Sequence, residues 1–188
     1  MSPIRLPLRK QLWTAWERVI REDYEKQLIN SENGLQASLL FHLRSLLPKS
    51  RRVFIEPQVF SSDSKTDLWF PDLVVCNSRE VIAVLELKYL PRATANWNKD
   101  LTKMNRIAEL KDSLFVSNTR YLGPPADERE YRFASKTLFG WMGVHRPFRD
   151  GDDPPRLSSG HRFLSGCFVQ FHAITRHNSA PHLVKALG

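Results

Sequence analysis

Residues 81–89, VIAVLELKY, constrain this chain more than any other segment. The run is almost unbrokenly apolar and carries charge only towards its end. Such a strand suits the middle of an α/β sheet, where both of its faces are covered. The four residues before it, Asn77-Ser78-Arg79-Glu80, make a short polar connection to an earlier apolar run at 68–76, interrupted at Pro71. Two strands joined that closely predict an antiparallel hairpin. Residues 52–60 form a third candidate strand, in which Pro57 marks an edge position or a bulge.

Helical periodicity surrounds this block. Leu12, Trp13, Trp16, Val19, Ile20 and Tyr24 recur at helical spacing over residues 8–28. Ser31 is a good N-cap for a second helix that ends before Pro48, with Leu35, Leu39, Leu43 and Leu46 as its apolar stripe. A third helix over 97–114 would bury Leu101, Met104, Ile107, Ala108 and Leu110. Strands are expected at 137–144 and 167–174, with a Pro-, Gly- and Asp-rich loop at 146–162 between them. The charged DEREYR stretch after Pro125 fits no single element. The order ααβββαββ reads as α/β, a mixed central sheet flanked by helices. A length of 188 residues suits one domain: an N-terminal helix at 8–28, a core at 31–114 and a strand-rich extension at 115–188.

The bulk properties narrow the function classes. Twenty-eight Lys and Arg against 20 Asp and Glu give a net charge of +8, which favours polyanionic partners such as nucleic acid. No apolar run approaches the roughly 18–20 residues that span a bilayer, so no membrane partner is expected. The N-terminal MSPIRLPLRK lacks the apolar centre of a secretory signal, which makes cytoplasmic residence the expectation. Cys76 and Cys167 lie in apolar, strand-like runs and read as buried free thiols. The six histidines show no zinc-ligand spacing, and Asp150, Asp152 and Asp153 lack the ladder of a calcium loop.

Chemistry concentrates in residues 71–89. Thirteen residues separate Asp72 from Glu86. In a strand, residues two apart share a face, so Glu86 and Lys88 point the same way, about 7 Å apart. The hairpin would bring Asp72 alongside Glu86. Two carboxylates and an amine at one sheet end suit a hydrated divalent cation and a phosphate. Mg²⁺ takes hard oxygen ligands, usually one or two carboxylates, and keeps several waters. Such an ion activates a water and neutralises charge on the leaving oxygen, while a lysine can orient or deprotonate that water.

Pro71-Asp72 followed by Glu86-Leu87-Lys88 on an apolar strand resembles the PD-(D/E)xK nuclease superfamily, the restriction-endonuclease-like fold. The resemblance covers residues 31–114. It implies that Asp72, Glu86 and Lys88 are catalytic, that Asp72, Glu86 and the Leu87 main-chain carbonyl ligate the metal, and that Lys88 serves the attacking water. Mg²⁺ is the implied cofactor, with Mn²⁺ as its substitute, and DNA is favoured over RNA as substrate. The family often draws a further acid from the first core helix. Glu32 fits, because it shares a helical stripe with Leu35, Gln36, Leu39 and Leu43. It also fits as an ordinary first-turn acid that complements the helix dipole.

The remaining candidates rest on lighter signals. Lys99, Lys103 and Arg106 on the third helix, and Arg51 and Arg52, are candidate phosphate contacts. For the helix, a solvated face with Asp100 and Lys103 as an i,i+3 ion pair fits as well. Glu56 and Asp67 are substitutes for the metal acids. The expected function is metal-dependent phosphodiester hydrolysis. Its rival is a non-catalytic nuclease-fold module that binds nucleic acid or a protein partner. Either could work as a homodimer or as a subunit of a larger complex.

Overall fold

The structure is a computed structural model that describes residues 5–62, 69–117, 123–124, 129–148, 153–154 and 156–187. Among the described residues, three α-helices and eight strands follow in order: α1 Leu6–Arg18, α2 Glu32–Leu46, β1 Arg52–Ile55, β2 Val59–Ser61, β3 Leu73–Cys76, β4 Glu80–Leu90, α3 Asn98–Leu110, β5 Leu114–Val116, β6 Tyr131–His145, β7 Phe168–Arg176 and β8 Ser179–Leu187. All eight strands belong to one sheet. The fold is a mixed α/β sheet flanked by helices, as the sequence predicts.

The expected hairpin is present, with β3 antiparallel to β4 and Leu73 opposite Leu85. Residues Val81–Leu87 are buried, and β4 lies between β3 and β6. The crossover through α3 makes β6 parallel to β4, and β7 is parallel to β6. The opening residues of β6 pair with β5, whereas residues from Phe139 onward pair with β7. The bend between these halves is a bulge opposite Val81–Ala83, and Thr137 closes it by donating to the carbonyls of Val81 and Ala134. The sheet curls there.

Alternation along β4 assigns the two layers. Leu85 and Leu87 face the core beneath α1 and α2, built on Leu12, Trp16, Leu35, Leu39 and Leu43. Val84 faces the opposite core beneath α3, with Met104, Ile107, Phe139 and Trp141. Glu86 and Lys88 share the Val84 face and therefore point towards α3.

Several boundaries differ from the sequence reading. The first helix is α-helical only to Arg18 and continues as a π-helical turn, Val19–Tyr24. The single strand expected at 52–60 is two strands, broken where Glu56 takes a positive φ of 43° before Pro57. The third helix stops at Leu110, and Leu114–Val116 is a strand. β6 begins at Tyr131, inside the DEREYR stretch, and β8 is a strand beyond those the sequence predicts. Cys76 is a buried free thiol, while free Cys167 is only partly buried. No described helix is long and apolar enough to cross a membrane.

Candidate active site

Strand direction decides what meets at one edge of the sheet. β3 runs against β4, so its first residues lie beside the end of β4, and β4 continues past them. The Leu87 and Tyr89 amides face the side that β3 has left. Two carboxylates replace the missing strand. Asp72 Oδ2 accepts from the Leu87 N–H at 2.5 Å, and Glu32 Oε2 accepts from the Tyr89 N–H at 3.1 Å. The N–H and C=O of one residue project to the same lateral side of an extended strand, so the Leu87 carbonyl lies on that side too.

Asp72 is anchored through its own backbone. Its carbonyl accepts from Gln36 Nε2 and from the Glu56 N–H, each at 3.0 Å. Glu32 sits one residue after the Ser31 cap, whose hydroxyl accepts from the Gly34 N–H. The other Glu32 oxygen, Oε1, is 3.7 Å from Lys88 Nζ. Glu32 thus turns to the end of β4 instead of to bulk solvent.

On the α3 side, the expected Asp100–Lys103 pair does not form. Lys103 Nζ lies 2.7 Å from Glu86 Oε2. Asp100 Oδ2 accepts from Trp141 Nε1 at 3.2 Å and lies 3.9 Å from Lys88 Nζ. The docking of α3 on β4 therefore joins four acids and two lysines into one interleaved cluster.

Burial sets the electrostatics. Glu86 is only 3% exposed, and its Oε1 has no hydrogen-bond partner among the described residues. Loss of water pushes its carboxyl up to about 8; neighbouring Asp72 adds to the rise, and Lys103 opposes it. Asp72 is also raised by burial, against the pull of the Leu87 N–H and Lys103. No three His, Cys, Asp or Glu side chains among the described residues form a ready metal group. The donors nonetheless fit a hard divalent cation: carboxylate and carbonyl oxygens, and a buried Glu86 oxygen with no hydrogen-bond partner among the described residues.

The other candidates lie apart. Arg51 and Arg52 are at the far end of β1, where Arg52 pairs with Cys76 and its guanidinium lies over the Tyr131 ring. Arg106 pairs with Glu109 on the outer face of α3, and Lys99 is exposed. Glu56 is exposed and contributes its amide; Asp67 lies outside the described residues. Trp141 was missed from the sequence because nothing in a strand pattern shows that an indole N–H meets an acid on a distant helix. Gly143 lets that indole lie flat, since a Cβ there would be 2.1 Å from Trp141 Cη2. Gly143→Ala should displace the indole, break its bond to Asp100 and cost about 1–3 kcal/mol. Thermal melts and tryptophan fluorescence will show this; an unchanged melt and spectrum would remove the constraint.

No protein-family model matches the chain, and no curated protein does. Among solved structures, NucC of P. aeruginosa ATCC27853 in its cAAA-bound form aligns over 96% of this chain and 81% of that one, with 14% identity and a TM-score of 0.46. A likeness of that order leaves the site to be read from its own geometry.

Proposed function

We propose that the chain is a metal-dependent nuclease of the PD-(D/E)xK type that hydrolyses phosphodiester bonds, in DNA before RNA, with Mg²⁺ or Mn²⁺ as cofactor. The observation that carries this reading is the meeting, at one sheet edge, of Asp72, a buried Glu86 oxygen without a partner among the described residues, and Lys88. Asp72, Glu86 and the Leu87 carbonyl would hold the ion, with Glu32 beside them. When bound, such an ion activates a water and neutralises charge on the phosphorane. Lys88, on the same strand face as Glu86, orients the water or takes its proton. Glu32 and Asp100 flank the ammonium from two helices and fix where it points. Lys103 holds Glu86 in place and supplies a positive charge towards phosphate.

One observation favours the rival, a nucleic-acid-binding module without catalysis. Lys103 Nζ already lies 2.7 Å from Glu86 Oε2, where it competes with an ion for that carboxyl. Plasmid, linear and single-stranded DNA with Mg²⁺ or Mn²⁺ separate the two readings. Wild-type protein should cut at least one substrate, lose activity in EDTA, and lose it by orders of magnitude in Asp72→Ala. Wild-type protein inert on every substrate would leave the binding module.

A further inference from the structure

The parallel register of β4, β6 and β7 collects three arginines that are far apart in sequence. Leu90 pairs with His145, and His145 pairs with Ile174. Arg146 directly follows His145, and Arg92 and Arg176 come two residues after Leu90 and Ile174, so the three stand in a row along the same sheet edge as the carboxylate cluster. Neighbouring strands lie about 4.8 Å apart, which makes the row on the order of 10 Å long. Its backbone is tied together. The Arg146 N–H donates to the Ala93 carbonyl at 3.0 Å, and Thr175 Oγ1 donates to the Pro91 carbonyl at 2.7 Å. All three arginines are exposed.

The row lines a trough. Two adjoining hollows of about 750 and 630 Å³ share Tyr24, Tyr89, Pro91 and Arg92, and the second also takes in Arg146 and Arg176. Tyr24 and Tyr89 meet edge to face with ring centroids 6.2 Å apart. The π-helical turn ends at Tyr24, and such turns frequently occur at functional sites. Glu25 is the one acid lining either hollow among the described residues, and Arg21 pairs with it at 3.1 Å.

We propose that this trough binds the phosphodiester backbone of a nucleic-acid strand. It would carry the strand past the catalytic cluster, with Arg92, Arg146 and Arg176 on successive phosphates and the two tyrosines against a sugar or base. Arginine presents a planar fork suited to phosphate, and aromatic faces accept any base. The trough begins one residue from Lys88, since the Tyr89 amide is the one that Glu32 caps. The strand's identity as a substrate rests on the nuclease reading; its binding does not.

The test uses the full chain as Asp72→Ala, so that binding is read without cleavage. Fluorescein-labelled single-stranded DNA is titrated across a salt series, with inorganic phosphate as competitor, against Asp72→Ala carrying Arg92→Ala, Arg146→Ala and Arg176→Ala. The triple change should weaken binding on the order of tenfold or more at low salt. It should lower the log–log salt slope by about 2, from roughly 0.7 per single-strand phosphate contact. Each single change should lower the slope by about 0.7, and these readings stand if the triple variant does not fold. Arginine-to-lysine changes should keep most of the slope. Unchanged affinity and slope overturn the trough, as does a parent that binds only inorganic phosphate or no DNA. Wild-type cleavage, scored separately, decides the nuclease reading: inert wild-type protein with arginine-dependent binding sinks catalysis and leaves the trough standing.

Discussion

Lys88→Ala should keep its fold and most of its DNA affinity while phosphodiester hydrolysis falls by roughly 10²–10⁴-fold, the range of a general acid–base contribution. The side chain is partly exposed and only approaches Glu32 and Asp100, at 3.7 and 3.9 Å, so no core packing depends on it. Lys88→Arg should not restore the rate, because a guanidinium stays protonated and is planar and wider than an ammonium. The split between an unchanged KM and a reduced kcat marks a group that acts on the reacting water instead of holding substrate. Single-turnover cleavage with DNA binding measured in parallel gives both quantities. An activity that Lys88→Ala leaves intact would exclude the lysine from the chemistry.

Glu86 should make the protein's response to pH and to divalent ions inseparable. Its carboxyl is pushed up to about 8, so at pH 7 the ion-free protein holds that proton, and ion binding must expel it. Affinity for Mn²⁺ should rise with pH towards about 8, and calorimetry at pH 7 in two buffers of different ionisation enthalpy should detect proton release. The stability sign follows from the same shift. A carboxyl raised on folding binds its proton more tightly in the native state, so its contribution is fully present below the unfolded pKa of about 4.5. It is lost as pH rises through about 8. Glu86→Gln keeps the volume and removes the charge. In EDTA it should match wild type near pH 5 and exceed it above pH 8, by a few kcal/mol at about 1.4 kcal/mol per pKa unit. Added Mn²⁺ should then stabilise wild type but not the variant. Parallel stability–pH curves for the two proteins would deny Glu86 its buried proton.

Residues 81–89 made much of this site legible, and the reason is strand geometry. A period of two puts Glu86 and Lys88 on one face, and a four-residue connection leaves little choice but a hairpin, so Asp72 reaches the end of β4. Glu32 was half legible: its stripe placed it inward, but only the overrun of β4 past β3 supplies the amide it meets. For Asp100 and Lys103 the helix spacing allowed two readings, a face turned to the site and a mutual ion pair, and the mutual pair does not form. Docking of α3 gave each a nearer partner, Trp141 and Glu86. The arginine row was invisible, since only the parallel register of three strands brings residues 92, 146 and 176 together. β8 escaped notice because Pro181 and its exposed, mixed residues carry little strand periodicity, and pairing with β7 supplies its order.

The overrun of β4 has a bearing on self-association. A strand end with bare amides is a template on which another chain's strand can add itself, and sheet proteins guard such ends against self-association. Asp72 and Glu32 occupy those amides with charged oxygens that an incoming strand would have to expel. The same atoms therefore cover the strand end and belong to the proposed chemistry. Asp72→Asn parts the two duties: its amide oxygen can still accept from the Leu87 N–H, while the charge that would hold an ion is gone.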